Sequence, residues 1–277
     1  YLATGIVTVF SLRSLATAVL LLITAFDLVR FGTKFTPFAP ASFFFPVTKT
    51  FEFLQNQPGP FRAVSLNKEI LPPNTSAMYG VETIDGYDPI INSRYEEYFA
   101  ALTRGKPDIS KPFGFNRILT TERIGSPILP LLNIRYVLSL TDRNEPFLRQ
   151  VFQEGQTRVY EDTRFLPRAY LAEAIQAVSD KQKILDVLHD PSFNIKTTAI
   201  VEQPVDVLSV PLTSDEIGTI TSYQSSAVEV SVRTLHPRLL VIANIWHRNW
   251  QATIDGKPAP LLRVNYILQG VVVPEGK

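Results

Sequence analysis

Ser14-Leu-Ala-Thr-Ala-Val-Leu-Leu-Leu-Ile-Thr-Ala-Phe-Asp-Leu-Val-Arg-Phe31 is the stretch on which the reading of this chain turns. Between Leu15 and Phe26 it holds no charge, no Gly and no Pro. As a helix, residues 14–31 would be roughly 27 Å long at ~1.5 Å per residue. That is close to the hydrocarbon thickness of a bilayer, about 30 Å. The stretch therefore predicts a transmembrane helix. A buried helix of a soluble protein is apolar all round too, and Arg13 before an apolar run also fits a secretory signal. No small-x-small cleavage site follows, because the chain continues Asp27-Leu-Val-Arg-Phe-Gly32.

Upstream, residues 1–12 are also predominantly apolar, and Arg13 separates them from the run. The pattern reads as a transmembrane hairpin cut at its start, with residues 1–12 the end of a preceding membrane helix. Positive residues in short loops stay cytoplasmic, so Arg13 marks the cytoplasmic turn and the chain after Phe31 lies outside. Phe31, Phe35, Phe38, Phe43, Phe44 and Phe45 follow. They suit either a membrane interface or the edge of the next core.

The remaining composition is that of an ordinary soluble body. Lys and Arg number 27 against 26 Asp and Glu, a net charge of +1, so no basic field points to nucleic acid. No cysteine is present, which excludes disulfides, thiol catalysis and Cys-based metal sites. Twenty-one prolines argue for loop-rich, β-containing structure. The start at Tyr1 and the close at Val273-Pro-Glu-Gly-Lys277, a turn in mid-strand, read as a fragment open at both ends.

Residues 32–60 are Pro-rich and read as a linker with a short helix near Thr48–Leu54. From 61 to 204 strands and helices mix without a strict βαβ rhythm, which predicts an α+β domain. Its clearest strands are 61–66, 135–140, 158–161, 167–172 and 197–202. Its clearest helices are Arg94–Leu102, capped by Asn92 or Ser93, and the segment after Ser179 with Ile184, Leu185, Val187 and Leu188 on one face. After Pro204 the helical period disappears. Six short strands at near-regular spacing over 215–277 predict an antiparallel β-sandwich, with Asp255-Gly256 as a hairpin turn.

Chemistry-bearing clusters are few. Asp85 and Asp88 flank Gly86-Tyr87, with Arg94, Glu96 and Glu97 close behind. The cluster reads as a metal or sugar contact, or as Asx turns followed by the acidic first turn of a helix. Arg94 lines a cleft or coats its helix. Trp246 and Trp250 are suited to stacking on a sugar ring, or to filling a sandwich core. Glu161-Asp162 before Arg168 reads as a buried ion pair. His189, His236 and His247 have no partner at metal-ligand spacing. No phosphate-binding glycine loop and no Gly-x-Ser-x-Gly elbow occurs, so no catalytic residue and no metal site is assigned.

A series of motifs nevertheless resembles one family. Leu71-Pro-Pro-Asn74, Asp85-Gly-Tyr-Asp-Pro89, Leu132-Asn-Ile-Arg-Tyr-Val137, Tyr160-Glu-Asp162, Leu166-Pro-Arg-Ala-Tyr170, Trp250-Gln-Ala-Thr-Ile-Asp-Gly-Lys-Pro-Ala-Pro260, Arg263-Val-Asn-Tyr266 and Gly270-Val-Val-Val-Pro274 resemble the extracytoplasmic part of YfhO-type bacterial membrane proteins. His247-Arg-Asn-Trp250 stands where the family usually has Tyr-Pro-Gly-Trp. The resemblance implies a multi-pass protein of the bacterial cell membrane, similar to GT-C glycosyltransferases that use a polyprenyl-phosphate sugar donor, with or without a divalent metal. It implies that residues after 31 are extracytoplasmic and that the catalytic loop lies upstream of this chain. It also implies membrane lipid and a cell-envelope glycopolymer as partners, with this region serving as an accessory, acceptor-binding part. The alternative is a non-enzymatic carbohydrate- or protein-binding module anchored in the envelope.

Overall fold

The computed structural model describes residues 2–36, 39–110, 118–207 and 209–276. Phe38 and the end of the polar loop that closes at Arg117 lie outside them. The chain forms two compact units, Tyr1–Val47 and Thr48–Lys277.

The first unit is dominated by α1 (Leu2–Phe35), one continuous helix. The expected turn at Arg13 is absent, so residues 2–12 and 14–31 belong to one helix and not to a hairpin. Ser11-Leu-Arg-Ser14 contains no Gly or Pro to break the ladder, and Arg is a good helix former. Its window Arg13–Phe35 has 23 residues, a mean hydropathy of 1.8 and no buried share. Thr17 and Thr24 donate their hydroxyls to the carbonyls of Arg13 and Leu20, each at 2.9 Å. These two hydroxyls are thus satisfied within the helix, as an apolar surrounding requires. The helix is long and apolar enough to cross a membrane.

The second unit opens with α2 (Lys49–Gln55) and β1 (Arg62–Ser65). A 3-10 turn at Thr75–Tyr79 leads to β2 (Glu82–Thr83) and β3 (Gly86–Tyr87). Helix α3 (Ser93–Arg104) starts where Asn92 accepts hydrogen bonds from the amides of Arg94 and Tyr95, and it ends on Gly105 at positive φ. Then come β4 (Ile118–Leu119), β5 (Ile134–Ser139), β6 (Leu148–Glu154) and β7 (Thr157–Asp162). Strands β2-β1-β5-β7-β6 form one sheet, parallel at β2-β1-β5 and antiparallel beyond.

The chain continues as β8 (Ala169–Ala172), β9 (Ala174–Ala177), α4 (Lys181–His189) and β10 (Thr198–Val201). After Pro204 follow β11 (Ile217–Tyr223), β12 (Val228–Arg233), β13 (Arg238–Ile245), β14 (Ala252–Ile254), β15 (Lys257–Ala259), β16 (Leu262–Val264) and β17 (Leu268–Val273). The second sheet runs β8-β13-β17-β16-β10-β9. It draws strands from both sides of Pro204. The composition change there marks the loss of helices, while the sheet continues across it.

Period-two alternation explains how the layers stack. On β13, Leu239 and Val241 join the central core with Val64, Val137, Tyr98, Leu102, Ile184 and Leu188. Leu240 and Ile242 face the opposite way and meet Val230 and Val232 of β12 and Ile254 of β14. A strand buried on both faces reads as a continuous apolar run, and Leu239-Leu-Val-Ile-Ala243 is one. The first sheet behaves alike: Val64 faces the central core, while Ala63 packs with Phe51 and Leu54 of α2. Asp255 and Gly256 have φ of 50° and 76°, the two positive values that a tight two-residue hairpin needs.

Candidate functional site

The sequence-predicted residues separate into three places. Asp88 is a turn former. It is exposed, and its carboxylate accepts from the amide of Ile90 at 2.8 Å. Tyr87 is held through its backbone. Its amide donates to Asn74 Oδ1 at 2.9 Å and its carbonyl accepts from Asn74 Nδ2 at 2.6 Å, leaving the ring 47% exposed. Asp85 turns inward, and one carboxylate oxygen has no hydrogen-bond partner. Burial pushes its pKa up to about 7, against the opposing pull of the Ser65 and Thr121 backbone and of Lys68. Asp85 and Asp88 are thus not brought together. Among the described residues, no group of three or more His, Asp or Glu side chains is arranged to hold a metal ion.

Arg94 and Trp246 join a second arrangement, a ladder of charges and rings. Arg263 lies over the Trp246 ring at 4.1 Å and pairs with Glu202 at 3.3 Å. Glu202 also pairs with Arg94 at 3.0 Å, and Arg94 lies over the Tyr266 ring at 4.6 Å. The Tyr266 hydroxyl donates to Glu97 at 2.5 Å, and Glu97 pairs with Lys181 at 2.7 Å. Lys181 and Tyr266 hold the Glu97 carboxyl below its ordinary range despite burial. The ladder ties α3, α4 and the second sheet together. Every charge in it has an opposite charge or a ring beside it, so it reads as a clamp between elements.

Trp250 occupies the third place. It stands in the loop after β13 and lines a cleft of about 490 Å³ with Glu82, Tyr223, Gln224, Ser225, Asn244 and Ile245. A neighbouring cleft of about 570 Å³ shares Trp250 and adds His247, Asn249 and Ser226. Local sequence explains the placement. The ladder between β13 and β17 slips between Ile242 and Ile245, and a bulge of this kind re-aims the side chains around it. Asn244 sits in that slip. Tyr223 closes β11, and Glu82 opens the edge strand β2.

Behind this cleft is a cluster that sequence reasoning did not assemble. Arg168, only 2% exposed, donates Nε to Asn133 at 2.7 Å. Its Nη1 pairs with Glu82 at 2.9 Å and reaches Asn244 Oδ1 at 3.3 Å and the Tyr223 hydroxyl. Tyr223 donates to Asn244 at 3.1 Å. Arg62 pairs with the same Glu82 at 3.3 Å and donates to the carbonyls of Leu132 at 2.9 Å and Ala243 at 2.7 Å. Two guanidinium groups thus share one carboxylate. Burial and the neighbouring Arg168 charge pull the Arg62 pKa down. Arg168 Nη2 is buried without a hydrogen-bond partner. The expected pairing of Arg168 with Glu161 or Asp162 is not formed. Glu161 pairs with Arg135 at 2.9 Å and with Arg149, and Asp162 pairs with Arg164 at 2.6 Å. Leu166-Pro167 turns the chain between sheets, so Arg168 points at β2 instead of back along β7.

In chemical terms, the cleft offers an indole, a phenol, two side-chain amides, a hydroxyl and a carboxylate above an excess of buried positive charge. Amides, hydroxyls and a carboxylate hydrogen-bond to polyols, and an aromatic face covers the apolar side of a sugar ring. The segments that supply it, at Glu82, at residues 223–225 and between Asn244 and Trp250, come from separate parts of the sequence. No pattern within any one of them announces the juxtaposition. No protein-family model, no curated protein and no solved structure matches this chain.

Proposed function

We propose that this chain is the membrane-anchored, extracytoplasmic acceptor-binding region of a YfhO-type, GT-C-like glycosyltransferase, and that the Trp250 cleft holds a segment of cell-envelope glycopolymer. In this reading α1 is one of several spans in the cell membrane, with Arg13 on the cytoplasmic side. The second sheet and the ribbons over it are a β-sandwich facing outward. Sugar transfer itself, with its polyprenyl-phosphate donor, takes place on residues upstream of this chain. The observation that carries the proposal is the composition of the cleft: one exposed-side indole bordered by Glu82, Tyr223, Gln224, Ser225 and Asn244. The apolar Arg13–Phe35 window, none of it buried, supports the membrane part.

The reading separates the two tryptophans. Trp246 is stacked under Arg263 and belongs to the clamp, whereas Trp250 belongs to the ligand. Binding of the detergent-solubilised protein to purified envelope polysaccharide tests this by calorimetry. Trp250→Ala is expected to weaken binding about five- to twelvefold, in line with the roughly 1–1.5 kcal/mol of an aromatic contact. Trp246→Ala is expected to leave affinity within about twofold, since no ligand contact is lost. Equal loss in both variants, or no binding by the unaltered protein, contradicts the assignment.

A further inference from the structure

Helix α1 ends in a pair of rings. Phe31 and Phe35 lie about one turn apart with centroids 4.4 Å from each other, and the Lys34 ammonium stands 5.7 Å from the Phe35 ring. Rings beside a Lys that reaches for water suit a helix where it meets the headgroups. Farther on, the 3-10 turn Ala41–Phe43 closes with the Phe43 amide donating to the Pro40 carbonyl at 2.9 Å. Phe44, Phe45, Pro46 and Val47 follow. Phe43 and Phe44 are 72% and 71% exposed, and Val47 is 55% exposed. Among the described residues, none of the three apolar cores includes them. The next core begins at the buried Phe51, whose ring stacks on Tyr79. Consecutive large apolar side chains left in the open mark an interaction surface. Residues 28–51 hold no Asp or Glu, and their charges are Arg30, Lys34 and Lys49.

We propose that residues 43–47 are a second, shallow membrane contact, seated at the boundary between lipid headgroups and acyl chains. The chain then leaves the lipid at Thr48 and not at Phe35. The inference rests on the reading of α1 as a membrane span and adds the path of the chain beyond it. Lipid is the occupant because the patch is tethered to the span. Phe43 follows Phe35 by eight positions, a reach of at most ~28 Å. The contact is shallow because a single 3-10 turn leaves backbone groups that need water, which the headgroup layer supplies and the hydrocarbon core does not. Pro40 and Pro46 beside the rings carry no N–H and lower that demand. The basic, acid-free flank adds attraction to anionic headgroups.

The chain has no cysteine, so a single nitroxide label is unambiguous. Phe44→Cys and Ile23→Cys are spin-labelled separately in the full chain and reconstituted in phosphatidylcholine–phosphatidylglycerol vesicles. Both side chains are exposed, so neither label disturbs a core. Collisions with oxygen, which enters lipid, are compared with collisions with a nickel chelate, which stays in water. The label replacing Phe44 is expected about 5–10 Å below the headgroup surface, with oxygen favoured several-fold over the chelate. The label replacing Ile23 is expected about 15 Å deep, near the bilayer centre. A deep label at the Ile23 position with the Phe44 position open to the chelate overturns the inference and leaves the span standing. A label at the Phe44 position reached by neither reagent also overturns it, because protein then covers the patch. A label at the Ile23 position open to the chelate overturns the span and this inference together.

Discussion

Two buried side chains make opposite electrostatic predictions. Asp85 has its pKa raised to about 7 by burial. The folded protein therefore holds the Asp85 proton more tightly than the unfolded chain, whose Asp titrates near pH ~3.9. Its ionisation destabilises the fold progressively as pH rises from about 4 to about 7 and by a constant amount above that. Asp85→Asn is accordingly expected to melt with the unaltered protein at pH 4 and above it at pH 8. A lower melting temperature at pH 8 would mean that the charge is needed. Arg168 is the reverse case, because it satisfies Asn133, Asn244, Tyr223 and Glu82 at once. Arg168→Met leaves the buried Asn133 without its donor while the partly exposed Glu82 keeps Arg62, and a loss of about 1–3 kcal/mol in urea denaturation is expected. A loss below about 1 kcal/mol, the value of a surface pair, would show that the cluster is solvated. Sequence alone marked Arg168 as buried and paired but gave the wrong partner. A carboxylate adjacent in the chain was the local choice, and the real one arrives on β2, 86 positions earlier.

Elements were more legible than residues, for a physical reason. Asn92 capping, the Asp255-Gly256 turn and the apolar run of β13 are local signals, and each stands where its residues predict. The ladder order of the sheets is not local. Parallel pairing of β9 with β10 and of β1 with β5 depends on crossovers, and β9 itself, Ala174-Ile-Gln-Ala177, has too little alternation to announce a strand. Helix α1 shows the same divide: its existence was legible, while its continuity through Arg13 depended on the absence of any breaker. Two tests belong at this scale. A Cβ added at Gly270 on β17 would press into Val264 on its neighbour β16 and approach Leu239 at 3.2 Å. Gly270→Ala is therefore expected to destabilise the protein by about 1–3 kcal/mol, measurable by denaturant titration; neutrality would show that Val264 has room to move. Ile23→Arg places a charge near the middle of the Arg13–Phe35 window. It is expected to raise the insertion free energy by about 3 kcal/mol and to deplete the protein from the membrane fraction. Undiminished recovery there would argue that α1 does not carry the anchoring.

At the scale of the whole molecule, the chain has an apolar helix long enough to cross a membrane and a body of two sheets with a cleft lined by residues of both. The cleft arises because the start of β2 in the first sheet, the end of β13 in the second and the end of β11 in the β11-β12 ribbon lie near one another, with Arg62 and Arg168 beneath. Their shared Glu82 ties the sheets together and forms one wall of the cleft. The chain has only two tryptophans and no cysteine, so one substitution leaves Trp250 as the sole indole reporter. Titrating the Trp246→Phe protein with purified envelope polysaccharide, followed by indole emission, tests the central claim most directly. The expected result is a saturable change in Trp250 emission that disappears when Asn244→Ala is added to the same chain. An emission spectrum unmoved by polysaccharide at every concentration, from a protein whose far-UV circular dichroism shows it folded, would contradict the account.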